Sequence, residues 1–255
     1  MARYSATRGE LNFKIAYSGP AGAGKTTTLR LLGRRAQNHD SGRLAEINSE
    51  QDRTLFFEYV QLTLGVIKGV RTNLHIYGVP SSASAASTRR TILDGVDAIV
   101  FVADSRLECM AANTRSRQML EEDLAVLGRE LTDVPIAFQW NKRDHPEAAT
   151  LDELSSLLNL NGDAAFETVA TRGQGVVKAL RCVAVQVLER IGGELPSGVA
   201  VDLPPAKSHV LHVGRRFADE PCQECPDPKP ACSHFEVVGP RKPTGLTRVF
   251  RRLFS

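Results

Sequence analysis

The chain has 255 residues, of which 42% are apolar and 24% charged, and carries a formal net charge of +3. That balance suits a folded domain and excludes both a polyelectrolyte chain and a strongly basic nucleic-acid binder, so no nucleic-acid partner is expected. No apolar run reaches the roughly 18 residues a membrane span needs and the N-terminus lacks a signal-peptide core, so the expected location is cytoplasmic.

In chain order, residues 13–17 alternate apolar and polar side chains as a short strand does. Gly19-Pro20-Ala21-Gly22-Ala23-Gly24-Lys25-Thr26 follows and fits G-x-x-x-x-G-K-[ST]. Residues 27–37 then read as a helix with Leu29, Leu31 and Leu32 on or near its buried side. Strand, glycine-rich turn and helix are the context a phosphate-binding P-loop requires. Gly19, Ala21, Gly22, Ala23 and Gly24 present backbone N–H groups to phosphate oxygens, and the helix N-terminus adds partial positive charge. Lys25 is expected at the outer phosphates, the Thr26 hydroxyl on Mg²⁺, and Thr27 beside it in the same cradle.

Residues 55–64 and 71–79 read as two strands of a hairpin joined near Gly65 and Gly69. Residues 98–103 form a continuous apolar run of buried parallel-strand type. Residues 115–130 read as a helix with Met119, Leu120, Leu124 and Leu127 at helical spacing. Residues 134–140 are a second buried strand, 151–158 a helix with Asp152 and Glu153 in its first turn, 166–170 a strand and 175–190 a closing helix. This order predicts an α/β fold: a mostly parallel, doubly wound P-loop domain of three layers, α/β/α, with ligands at the C-terminal strand ends.

Asn141-Lys142-Arg143-Asp144 stands at the end of the second buried strand and has the form N-K-x-D. Asp144 offers two acceptor oxygens to the N1–H and N2 amino donors of guanine. Adenine has no such donor pair and would leave the carboxylate unpaired. Asn141 is expected to hold the loop, with the Lys142 stem along the base plane. GTP or GDP is therefore the expected nucleotide rather than ATP.

Together with Lys14-Ile15-Ala16-Tyr17-Ser18, Asp52-Arg53-Thr54-Leu55-Phe56-Phe57, His75-Ile76-Tyr77-Gly78-Val79-Pro80 and the run from Gly95 to Ser105, these motifs make the chain resemble the MglA-type small GTPases of bacterial polarity and gliding motility, members of the Ras-like G proteins. The resemblance covers residues 9–193. It implies that Thr54 senses Mg²⁺ and the γ-phosphate, that Arg53 is a built-in arginine finger, and that Ala170-Thr171 is the last guanine-contacting loop. It also implies a Roadblock-type, MglB-like regulator and effector proteins as partners. The chain departs from that family where Gly-Gln normally follows Val79-Pro80, for it carries Ser81-Ser82 and a Ser/Ala stretch. Ser82 thus stands in place of the glutamine that orients the attacking water. Ala21 replaces a P-loop glycine, and Gly78 stands where most Ras-like proteins carry an aspartate.

Residues 194–255 form a proline-punctuated extension. Within 209–234, Cys222, Cys225, Cys232 and His234 can hold Zn²⁺ tetrahedrally, with His209 and His212 as alternative ligands; a disordered or redox-sensitive tail is the competing reading. Leu246, Val249, Phe250, Leu253 and Phe254 recur at helical spacing opposite Arg248, Arg251 and Arg252. Such a basic amphipathic end (246–254) can lie peripherally on an anionic membrane, dock on a partner or pack on its own domain. Two functions compete. One is a switch whose GTP hydrolysis is slow or partner-dependent, favoured by Arg53. The other is a non-hydrolysing scaffold that binds GTP or GDP and recruits partners or membrane through its tail, favoured by Ser82 and Ala21. A P-loop ATPase or kinase is opposed by Asp144.

Overall fold

The computed structural model describes residues 3–5, 9–37, 44–46, 58–67 and 70–191. The expected extension at 194–255, with its candidate zinc ligands and amphipathic end, lies outside the described residues, as do Arg53 and Thr54. Eight strands make one sheet: β1 (Arg3–Ser5), β2 (Glu10–Ser18), β3 (Leu44–Glu46), β4 (Glu58–Ile67), β5 (Val70–Gly78), β6 (Ala98–Asp104), β7 (Ile136–Asn141) and β8 (Ala164–Thr168). The spatial order is β3-β4-β5-β2-β6-β7-β8, with β1 paired to β2. Strands β5, β2, β6, β7 and β8 run parallel, while β4 and β3 add an antiparallel edge. The order reverses at β2, which has later strands on either side, so the loop leaving β2 opens at a topological switch point.

Five helices complete the described fold: α1 (Lys25–Gln37), α2 (Ala86–Leu93), α3 (Met110–Val126), α4 (Leu151–Leu158) and α5 (Val176–Ile191). All seven residues of β6 are buried, which is why its sequence is an unbroken apolar run rather than an alternating one. Val100 and Val102 pack with Leu29 and Leu32 of α1 and Leu180 and Val183 of α5. Ile99 and Phe101, one residue out of phase, pack with Leu93 of α2, Leu120 and Leu124 of α3 and Leu154 and Leu158 of α4. The result is the expected α/β/α sandwich, with each buried Val, Leu, Ile or Phe contributing about 1.5–3 kcal/mol.

Besides β8, which runs Ala164–Thr168 where 166–170 is expected, three elements differ from the sequence reading. Gly65, expected near the hairpin turn, lies inside β4 at φ 86°, where the register with β5 slips by one residue; the glycine absorbs a bulge. Helix α3 runs from Met110 to Val126 instead of 115–130. Gly128, at φ 69°, ends it: the Gly128 and Arg129 N–H groups donate back to the Ala125 and Leu124 carbonyls, a Schellman closure. The Ser/Ala stretch after Pro80, read only as a departure from the family pattern, forms a 3₁₀ turn at Ala83–Ala85 and then α2. α4 begins as its acidic first turn suggests, with a reciprocal capping box between Thr150 and Glu153.

Candidate functional site

The loop from Gly19 to Gly24 joins β2 to α1, and its path depends on glycine. Gly19 has φ 140°, and a side chain there would run into the Val102 carbonyl of β6; Gly24 has φ 104°, and a side chain there would strike the Asn141 amide. Ala23 is fully buried, whereas Ala21 and Gly22 face solvent. Thr26 and Thr27 lie in the first turn of α1, beside the loop. The Lys25 Nζ donates to the Gly19 and Pro20 carbonyls at 2.6 and 2.8 Å, so the ammonium sits over the loop. Burial lowers its pKa to about 8, partly opposed by the carboxylate of Glu58.

Asn141 ties three segments together. It ends β7 and is 2% exposed. Its Nδ2 donates to the Ala23 carbonyl at 2.7 Å. Its Oδ1 accepts from the Ala170 N–H at 2.9 Å and from the Thr168 hydroxyl at 3.2 Å. One side chain thus joins the Gly19–Gly24 loop, the end of β7 and the loop after β8. Lys142 follows at φ 64°, the one non-glycine with positive φ among the described residues, and its Nζ donates to Asp104 at 2.7 Å. Asp144 is exposed, 3.9 Å from the Arg172 guanidinium. Ala170 is buried and Thr171 exposed, in a turn closed by the pairing of Val169 with Gln174. The structure therefore gathers Gly19 to Thr27, Asn141 to Asp144 and Ala170-Thr171 at the C-terminal ends of β2, β7 and β8.

On the other side of the loop, Val79 N–H donates to the Tyr17 carbonyl at 2.9 Å, carrying the chain from β5 past the end of β2. Ser81 has no positive φ and can present its N–H without strain. Ser82 is exposed, its hydroxyl 2.7 Å from that of Ser84. The Ser82 carbonyl accepts from Arg89 Nη1. Arg89 Nε also donates to Asp123 of α3 at 2.6 Å, and Arg90 Nε to its other oxygen at 2.9 Å. Asp123 and Arg89 are both buried, so α2 is clamped onto α3 by one carboxylate between two guanidiniums.

Sequence reasoning missed that clamp, and it missed Glu58. A side chain on Gly78 would begin 3.4 Å from a Glu58 carboxylate oxygen. The acid on β4 therefore lies directly beside Gly78 at the end of β5. The signal was available: with Gly78 in the usual acidic position, a carboxylate on the neighbouring strand was the natural substitute. The Thr26 hydroxyl and the Glu58 carboxylate are both hard oxygen donors, of the kind that suits Mg²⁺ rather than a softer metal. A cavity of about 500 Å³ lies elsewhere, between the start of β7 and the end of α5, and is lined by none of the predicted site residues.

A parallel sheet with a P-loop at its switch point, an N-K-x-D loop two strands away and an asparagine bonding the two defines a P-loop G domain of Ras-like type. Over 182 residues the chain is 41% identical to the Mutual gliding-motility protein MglA of Myxococcus xanthus (strain DK1622), an alignment covering 71% of this chain and 93% of that protein. The chain belongs to the MglA-type small GTPases. No family model matches it.

Proposed function

We propose that the protein is a guanine-nucleotide switch of the MglA type that acts in gliding motility or cell polarity through nucleotide-dependent contacts with partner proteins, among them an MglB-like regulator. Residues 9–193 form its G domain. The observation that carries this reading is the Asn141 side chain, which holds the phosphate loop and the base loop in one rigid frame. GTP or GDP binds with its phosphates over Gly19 to Thr27 and its base between Lys142, Asp144 and the Ala170-Thr171 loop. Binding exchanges the carbonyl partners of Lys25 for phosphate oxygens. Thr26 and Glu58, with Thr54 beyond the described residues, would hold Mg²⁺ directly or through water, and the ion would neutralise phosphate charge. Among the described residues no helix is long and apolar enough to cross a membrane.

The test is base selectivity. The wild type is expected to bind GDP at least about a hundredfold more tightly than ADP, since an unpaired polar group costs several kcal/mol in a site built to hydrogen-bond the base. Asp144→Asn should shift preference toward xanthosine diphosphate, whose 2-carbonyl accepts from the new amide. Titration of each nucleotide against both proteins measures this, and equal affinity of the wild type for ADP and GDP would sink the guanine reading.

The non-hydrolysing scaffold is the second reading, and Ser82 favours it: a short hydroxyl bonded to Ser84 stands where a water-orienting amide is needed. Intrinsic turnover is therefore expected at or below about 10⁻⁴ s⁻¹, the slow end for G proteins. Ala21→Gly, Ser81→Gly and Ser82→Gln together should raise it if Arg53 reaches the γ-phosphate. Single-turnover hydrolysis with and without an MglB-like partner separates the readings. Stimulation of the wild type by the partner marks a slow switch. No turnover under any condition, even in the triple variant, marks a scaffold.

A further inference from the structure

Asp104 ends β6, beside Asn141 in the sheet register. Its backbone is held on both sides by the buried Asn113 of α3: Asp104 N–H donates to Asn113 Oδ1 at 3.0 Å, and Asn113 Nδ2 donates to the Asp104 carbonyl at 2.8 Å. Its side chain is 2% exposed and takes two cations. Oδ2 accepts from Lys142 Nζ at 2.7 Å and Arg106 Nη2 at 2.9 Å, while Oδ1 accepts from Arg106 Nε at 3.1 Å and the Arg106 N–H at 3.2 Å. Burial pushes the carboxyl up, but the hydrogen bonds from Arg106 and Lys142 outweigh it and hold the group at about 2.

Lys142 is thereby fixed at both ends. Its backbone has the left-handed conformation, and its ammonium is moored on a buried carboxylate that Arg106 also holds. A free lysine side chain samples many rotamers, and immobilising it on binding costs entropy. Here that ordering is in place beforehand, so a base laid along the stem meets a ready surface.

We propose that Asp104 is a positioning residue for nucleotide retention: by mooring Lys142 it pre-forms one wall of the base slot and slows release of any purine nucleotide, without affecting the choice among bases. The proposal rests on the guanine-nucleotide reading. Asp144 contacts the base edge, whereas Asp104 acts only through the lysine. The two acids therefore differ in what they control.

The experiment measures dissociation of fluorescent mant-GDP and mant-IDP from the full chain. Inosine lacks the 2-amino group, so the ratio of the two rates reports edge recognition alone. Asp104→Asn is expected to speed both releases roughly tenfold, the loss of about one long side chain's ordering, with the ratio unchanged. Lys142→Met keeps the alkyl stem and loses the ammonium; it should speed both releases similarly, and it remains informative if the Asp104 variant does not fold. In the double variant Asp104→Asn should add nothing further, because the mooring is already gone. A purely structural role for Asp104 would lower the melting temperature and leave release unchanged, or multiply with Lys142→Met, and either result overturns the proposal. Wild-type release rates from Lys142→Met overturn it as well. Failure of the wild type to bind mant-GDP at all would remove the guanine reading, and this inference with it.

Discussion

Asn141→Ala is expected to lower GDP affinity by at least about a hundredfold. The substitution strands the Ala23 carbonyl and the Ala170 N–H, which Asn141 alone is seen to satisfy from the side-chain direction. Each buried, unpaired backbone group costs about 1–3 kcal/mol, and a hundredfold corresponds to about 2.7 kcal/mol. Some of the loss should appear as reduced stability and the rest as weaker binding, because phosphate and base loops no longer share a frame. Isothermal titration with GDP, with a thermal melt on the same sample, separates the two. An affinity within about threefold of wild type would show that the loops hold their arrangement without this amide.

Gly19→Ala should be the most destabilising change in the phosphate loop. At φ 140° an alanine is strained before any contact is counted, and its methyl group collides with a main-chain carbonyl of β6, a strand buried on both faces. Main chain in a packed sheet cannot step aside as a flexible side chain can, so a loss of more than about 3 kcal/mol is expected. Against a total stability of roughly 5–15 kcal/mol, that threatens folding itself. Gly22 provides the control. Its φ is 73° and a methyl group there meets nothing within 4 Å, so Gly22→Ala should cost only the left-handed strain of about 1–2 kcal/mol. Urea denaturation of the two variants should therefore give clearly separated midpoints, and equal midpoints would mean that β6 does not crowd the loop.

The parts of this fold legible in the sequence were those written in local patterns. Apolar runs such as 98–103 announced strands buried on both faces, and the glycine spacing of 19–24 announced a phosphate loop. The N-K-x-D motif pointed to a base site without revealing that Asn141 would reach back to Ala23. Helix α2 was not legible: only Ile92 and Leu93 bring apolar weight, and its other buried positions are Thr88 and Arg89. Arg89 is buried because Asp123, 34 residues on, receives it, and no periodicity records a pairing over that distance. The early start of α3 was hidden for the same reason. Asn113 looks like a surface residue but is buried bracketing the backbone of Asp104. Glu58 went unread because its importance is defined by Gly78 on the adjacent strand.

The clamp between α2 and α3 bears on how often the segment after Pro80 can change place. Withdrawing α2 would part Asp123 from both guanidiniums and uncover the seats of Ile92 and Leu93, a loss that hydration of the freed charges offsets only in part. Excursions of this segment are thus uphill, and any partner that holds the undocked form must offset that energy with contacts of its own. The resting arrangement of this segment is the docked one, with α2 held against α3.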